Sequence, residues 1–485
     1  MVGITGALNN AVTGLTAASR AAEVVSSNVA NAMTEGYARR EISLSSDTLG
    51  GDGGGVRING INRMVNETLL QDKRLADAAA ADATARTTFY ADLENQIGDP
   101  TTEGSLSWTI SKFEDSLLTA ASMPDSSARL SSAVDAARLV TDKLNSVSAD
   151  LQQTRLEADQ SIAKQVNTLN ETLGEIELLN RTITTQIAVG RDANGLMDQR
   201  QMLVDSISEI VPIKVVQRDN NQIALFTKGG GILLDGHAYE IGFTGAGVMA
   251  ADMTLAGGQL SGITVNGQAM TVGEGSQFGG GTLGAAFAVR DTLGTEAQAK
   301  LDAVARDLIS RFESTSVDPT LNPGDAGLFT DGGGPLVVAN EAGLAGRISI
   351  NAIVDPLQGG AAWHMRDGLN AATPGVVSDA TLLNAMSSAM TTQSVPASGN
   401  FGALQRSMAG LSADLLSFAS SSRQSSELTQ GYTNARQEAL HEMALADGVD
   451  TDYEMQNLLV VEKAYAANAR VIQTIDALIQ QLLEL

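Results

Sequence analysis

The sequence predicts a mainly α fold with a β insertion. A long α-helical rod, coiled-coil in character, is built from both the N- and C-terminal regions, and a small β-rich domain projects from the middle. Three observations carry this. Near the start, Ile4, Leu8, Ala11, Leu15, Ala18, Ala22, Val25 and Val29 recur at alternating four- and three-residue steps. At the end, Leu458, Val461, Tyr465, Asn468, Ile472, Ile475, Ile479 and Leu482 do the same. That spacing places one apolar seam on each helix. Between them, around residues 211–282, short alternating stretches and an Asn266-Gly267 turn replace helical periodicity.

The elements follow in order. Residues 1–36 form an N-terminal assembly helix that pairs with 453–485, with Gly36 as its left-handed stop. Residues 37–63 hold a short strand from Ala38 to Leu44 and a flexible Gly50–Gly55 turn. Residues 64–210 are the first half of the rod. Met64 to Ile97 is Ala-rich helix ended by Gly98-Asp99-Pro100, and Pro124 breaks the helix that runs from Trp108. Ile162, Val166, Leu169, Leu173, Ile176, Ile183 and Ile187 share a seam, with Asn180 its one polar member. Leu196 to Ile210 is a further helix closed by Pro212.

In the β domain, Ile213–Gln217, Gln222–Phe226, Gly262–Val265 and Gln268–Val272 read as strands, with a turn at Gly229–Gly231. Residues 283–316 return to helix through Leu301, Val304, Leu308 and Phe312. Residues 317–376 are Gly- and Pro-rich, with a strand at Arg347–Ala352. Residues 377–452 are the rod's second half. There Leu404, Met408, Leu411, Leu415 and Phe418 begin another seam, and Gly448 ends the run. Residues 453–485 are the last helix, opened by a capping box in which Thr451 caps and Glu454 bonds back.

Composition narrows function. A net charge of −25 disfavours nucleic acid and anionic membrane surfaces, because phosphate binding needs a basic face. Aromatics are only 4%, which argues against a deep ligand pocket. With no cysteine, disulfides, thiolate catalysis and cysteine-ligated zinc are excluded. Met1–Val12 lacks the basic start and apolar core of a secretory signal, and no stretch of about 18 apolar residues would insert in a membrane. The default is cytoplasmic, unless a machine exports the chain by an uncleaved, flexible N-terminus.

No constellation points to catalysis, a metal or a cofactor. His237, His364 and His441 are far apart, and Leu445 stands where His441-Glu442 would need a second zinc-binding histidine. Gly50–Gly55, Gly229–Gly231 and Gly279–Gly284 lack the ending of a phosphate loop and read as turns. Glu175/Glu177 and Asp447/Asp450 read as solvated charges. Asn180 and Asn468 either set helix register or mark where their seams are only partly buried. The middle seams read as internal core. The terminal seams read as subunit packing, because their apolar groups are too few to offset the ordering of both helices. The ends are therefore expected to be frayed in the monomer and to order only when packed against other subunits.

Ser26–Arg40 reads SSNVANAMTEGYARR, in which Asn28, Asn31, Thr34, Gly36 and Tyr37 fit the N-terminal signature of the flagellar axial proteins (rod, hook and hook-associated). Gly448-Val449-Asp450 followed by Ala464–Ile472 resembles that family's C-terminal signature. Asn194–Arg200 and Gly281–Gly284 with Arg290-Asp291 are similar to the hook-associated members at the hook–filament junction. Rod and hook proteins are mostly β between their terminal helices, unlike this chain, and flagellin usually lacks the Asn-Gly-Tyr signature. The match is patchy over Val317–Pro374.

The resemblance implies an exported structural protein of the flagellum. It would leave unfolded through the type III apparatus with a chaperone, form a ring of copies on the hook protein, and carry a second junction protein. It also implies that Gly36 turns the chain, Tyr37 packs the turn, and Asn28 and Asn31 satisfy its backbone. Helix-end chemistry without subunit contact is the alternative for these residues. A hook or rod component is the near alternative for the whole chain. The distant one is a flagellum-associated glycan hydrolase using Glu175 and Glu177.

Overall fold

The computed structural model describes residues 2–34, 36–49 and 52–483, and side chains for these except 2, 48, 49, 52, 53 and 482. In chain order the helices are α1 (Val2–Ala30), α2 (Glu67–Ile97), α3 (Leu106–Ser122), α4 (Ser127–Ala188), α5 (Asn194–Ser208), α6 (Gly281–Ala288), α7 (Gly294–Phe312), α8 (His364–Asp367), α9 (Thr381–Thr391), α10 (Met408–Ala446) and α11 (Thr451–Leu483). The strands are β1 (Arg40–Leu49), β2 (Asp52–Arg63), β3 (Ile213–Gln217), β4 (Ile223–Thr227), β5 (Ile232–Asp235), β6 (His237–Ala238), β7 (Ile241–Gly242), β8 (Thr264–Val265), β9 (Gln268–Ala269), β10 (Phe329–Asp331) and β11 (Ile348–Ile350). The chain is mainly helical with small antiparallel sheets in between, ordered β1-β2, β3-β4-β5-β6, β7-β8-β9 and β10-β11.

Two compact units result. The first gathers Met1–Ala80, Asn167–Glu240 and Thr433–Leu485; the second gathers Ala81–Val166 and Ile241–Tyr432. The stretch expected as one β domain is therefore divided, with β3–β6 in the first unit and β7–β9 in the second.

The second unit holds the large core. Phe113, Phe312 and Phe329 meet at its centre, with ring centroids 5.1–5.9 Å apart. Buried apolar residues from α3, the first part of α4, α7, β10, β11, α9 and the start of α10 surround them. Fully buried Arg290 is satisfied from every side. It pairs with Asp159 at 2.7 Å and with both oxygens of Asp291 at 2.8 Å, and it donates to the Ser261 carbonyl. Its guanidinium also lies over Phe287. A single π-helical turn at Val289–Leu293 joins α6 to α7 here. Gly294 follows because a Cβ there would meet Arg155 Cγ at 2.7 Å.

Several local expectations change. The Gly50–Gly55 turn begins outside the described residues, but Asp52 onward is already β2, lying against α1. Gly55 is glycine because a Cβ would sit 2.2 Å from Thr13 Oγ1. Gly281–Gly284, read as turn, opens α6. Leu404 precedes α10 and is exposed, so that seam starts at Met408. Helix α11 is capped by Asp450, whose Oδ1 accepts from the Asp452 and Tyr453 amides, and not by Thr451. Glu454 does not bond back; it is drawn into an ion pair with Arg39. Asn180 does not pair with another seam residue; its Oδ1 accepts from Arg200 of α5 at 2.8 Å. Its amide brackets the backbone of Ile223 on β4, donating to the carbonyl at 2.9 Å and accepting from the N–H at 3.3 Å.

Candidate assembly surface

In the first unit α1 and α11 pack along each other, with the β1-β2 hairpin beside α1. They meet closely at Gly14, where a Cβ would lie 2.8 Å from the Asn468 amide. Asn468 itself donates to the Ala464 carbonyl of its own helix. With this side-chain position, only glycine at position 14 leaves the amide room.

The two seams are covered unequally. On α1, Val25 is buried, Ile4, Leu8 and Leu15 are half-buried, and Val29 is exposed. On α11, Ile475 is buried at 6% exposure, and Leu458, Val461, Asn468 and Ile472 are half-buried. Tyr465 and Ile479 stay exposed at 45% and 36%. The side chain of Leu482 lies outside the described residues.

A second stripe was missed in the sequence. Val460, Ala464, Ala467, Val471 and Leu478 lie one residue N-terminal to the first seam, about 100° round the helix, and all are exposed. Their 4-3-4-7 spacing was readable. It was overshadowed by the larger residues of the first seam.

The signature turn closes this pair. Asn28 is fully buried and imitates a strand neighbour of Arg40, donating to its carbonyl at 2.8 Å and accepting from its N–H at 3.0 Å. The same Asn28 oxygen accepts from the Tyr37 hydroxyl at 2.9 Å. Asn31 donates to the Ser27 carbonyl and accepts from the Thr34 hydroxyl. Gly36 has φ +75°, and a Cβ there would lie 2.3 Å from Met202 Cγ. It is glycine for conformation and for space.

Helix α5 forms the clamp. Asn194, Asp198, Gln201 and Met202 share one face at i, i+4, i+7 and i+8. Asn194 donates to the Ile61 carbonyl, holding β2. Asp198 accepts from Arg63 at 2.8 Å, Arg40 at 3.1 Å and the Ala38 amide at 3.3 Å. Gln201 takes the other end of Arg63. On the opposite side of the turn, Arg39 donates to buried Glu454 at 2.8 Å and stacks over Tyr453. Burial works to lower the Arg39 pKa, but the Glu454 hydrogen bond and charge hold it above its ordinary value.

The other sequence candidates stand apart. His237 stacks on Tyr239, His364 bonds the Gly368 carbonyl, and His441 is exposed. Glu177 accepts from the Ala238 amide, and Glu175 faces solvent. Among the described residues no three metal-binding side chains converge, and no helix is long and apolar enough to cross a membrane.

A helical pair with an apolar stripe left open, locked by a hydrogen-bonded turn, is the build of an assembly subunit. Family models agree. The model for the flagellar hook-associated protein FlgK helical domain matches residues 90–343, which is more than half of the chain. The flagella basal body rod protein model matches 8–37, and the flagellar basal body rod FlgEFG protein C-terminal model matches 446–485. Flagellar hook-associated protein 1 of Bacillus subtilis (strain 168) is 23% identical, covering 98% of this chain and 97% of its own. The Salmonella typhimurium protein of the same name is 28% identical over 47% of this chain and 42% of its own. The solved structure of the flagellar hook junction protein FlgK from Burkholderia pseudomallei aligns at TM-score 0.44 and 24% identity, over 55% of this chain and 47% of that one. The chain belongs to the flagellar hook-associated protein FlgK family.

Proposed function

We propose that this chain is a structural protein of the bacterial flagellum that builds the hook–filament junction by packing its terminal helices against those of other copies. The observation that carries the reading is the exposed stripe on α11 beside a seam already turned to α1. One face of the helix serves the chain's own fold, and the other is free for a neighbour. Burying Val460, Val471 and Leu478 would contribute about 1.5–3 kcal/mol each, and this gain exists only in the assembly. Residues 1–36 and 453–485 thus act as the assembly module. The turn at Asn28–Tyr37 sets the direction in which the chain leaves it.

In this reading the copies form a ring, with the hook protein on one side and a second junction protein on the other. The chain reaches that place through type III export, unfolded and accompanied by a chaperone. Neither nucleic acid, membrane insertion nor a cofactor has a part.

The test is Val460→Asp with Val471→Asp, both at exposed positions that leave the isolated fold unchanged. Cells making only this variant are expected to form hooks without filaments, and the variant should be absent from purified hooks. Normal filaments carrying the variant would overturn the proposal.

A further inference from the structure

Beside α11, helix α1 packs chiefly on the β1-β2 hairpin. Two separate sets of hydrogen bonds fasten it there. At the base of the hairpin, Asn28 holds both backbone groups of Arg40 on β1. Toward the tip, Asn9 donates from Nδ2 to the Gly54 carbonyl at 3.1 Å, and Thr13 Oγ1 accepts from the Val56 N–H of β2 at 3.2 Å. The Thr13 hydroxyl sends its own proton back to the Asn9 and Asn10 carbonyls of its helix, which leaves its lone pairs for Val56. Gly55, between the two bonded strand residues, leaves the room that Thr13 needs.

The two fastenings lie on opposite edges. Along an antiparallel pair, successive residues turn their backbone groups alternately to the partner strand and away from it. Arg40 and Val56 both turn theirs outward, to the side chains of α1, but Arg40 belongs to β1 and Val56 to β2. Helix α1 therefore crosses the hairpin, from the outer edge of β2 to the outer edge of β1. Thr13 and Asn28 are about 22 Å apart along the helix. A helix held at one point can pivot about it. One held at two distant points, on opposite edges, keeps a single direction. The support is mutual, since two strands alone are only marginally stable.

We propose that the hairpin is a brace that sets the direction of the terminal helix pair in the assembled protein. Its base is tied to α5, through Asp198 to Arg40 and Arg63 and through Asn194 to the Ile61 carbonyl. Its tip is tied to the first half of α1. Helix α11 packs chiefly on α1, and its own start is tied to the signature turn through Glu454 and Arg39. The direction of both helices is thus relayed from α5 through the hairpin, with Asn9 and Thr13 as the positioning residues at the far end. This rests on the self-assembly reading above and goes further. Repeated packing of α11 against a neighbour needs every copy to hold its helix pair at the same angle, because a symmetric ring closes only when each contact repeats the last.

The tip fastening can be changed alone. Asn9 is exposed and Thr13 half-buried, and neither belongs to the apolar seam of α1. Replacing them leaves that seam, the open stripe of α11 and the fastening at Asn28 as they are.

The chain has no cysteine, so one reversible covalent bond can stand in for the tip fastening. The variant Asn9→Cys/Thr13→Val/Gly54→Cys loses both tip hydrogen bonds and gains a pair of thiols in their place. Cells making only this variant would be grown with cystine, which closes the disulfide, or with dithiothreitol, which keeps it open. The filaments that survive a fixed shear would then be counted. With the disulfide closed within each chain, as a non-reducing gel reports, filaments are expected at the level of the unmodified protein. With it open, a several-fold loss is expected. The unmodified chain should not respond to either reagent, and Thr13→Ser, which keeps the hydroxyl, should match it. Equal survival with the bond closed and open would overturn the brace. So would thiols that stay unpaired in chains seated on hooks, or seated chains that carry no filament in either state. The unmodified chain missing from purified flagella would sink the assembly reading, and the brace with it.

Discussion

Asn28 shows how much one side chain can fix. Its amide occupies the place of a missing β-strand, so Arg40 keeps both backbone hydrogen bonds where the chain leaves α1. Asn28→Ala removes these bonds and the Tyr37 contact together. A buried polar group left without a partner costs about 1–3 kcal/mol, so the variant should lose roughly that much stability in urea denaturation. Tyr37→Phe removes only the hydroxyl bond and should cost about 1 kcal/mol. Equal costs for the two would show that the turn is held elsewhere.

Asp302 makes a pH-dependent case in the second unit. It accepts from the Gly343 and Ala345 amides and from Gln298, yet burial outweighs these bonds and raises its pKa to about 6. The folded state then holds a proton that the unfolded state, with an ordinary carboxyl pKa of 3.8, releases earlier. This group's contribution is greatest below pH 3.8, falls as pH rises to about 6, and is flat above. The span corresponds to about 3 kcal/mol. Asp302→Asn should remove that slope from denaturation curves measured between pH 4 and 7, although the Gly343 amide loses its acceptor. An unchanged slope would assign it to another group.

At the level of elements, the Gly14–Asn468 contact decides how closely α1 and α11 lie. Gly14→Val introduces atoms where Asn468 already stands within 2.8 Å of a bare Cβ. Asn468 must leave its position and its bond to the Ala464 carbonyl, or the helices must separate, and the variant is expected to fail to join hooks while its circular dichroism changes little. Assembly at the normal level would show that the pair tolerates a wider spacing.

Elements with a periodic signal were legible in the sequence. Ile162, Val166, Leu169, Leu173, Ile176 and Ile183 are buried as their spacing requires, whereas Ile187, one residue from the end of α4, is exposed; Asn266-Gly267 makes its hairpin with both φ positive. The long-range polar contacts were not legible. Periodicity marks Asn180 as a seam member, but it cannot reveal that β4 lies opposite. The Thr451–Glu454 spacing satisfies a capping box, yet Arg39, more than 400 residues earlier, takes Glu454. Likewise α5 matched a motif without disclosing that one face clamps Gly36, Arg40 and Arg63.

For the whole molecule, the division into two units separates stability from assembly. The core of the second unit draws its buried residues from Phe89 to Ala419, and neither terminal helix contributes to it. Removing Met1–Asn31 or Leu458–Leu485 therefore takes away the assembly surface without opening that core. Each truncated chain is expected to keep its main thermal transition within about 2 °C of the full chain, since a loss of 1 kcal/mol shifts a domain of this size by about 2–4 °C. Each should also be lost from the junction. A first, low-temperature transition that disappears on truncation fits the same account, because it would report the terminal pair. A main transition lowered by ten degrees or more would mean that the helices are a load the second unit cannot do without, and that folding and assembly are one event in this chain.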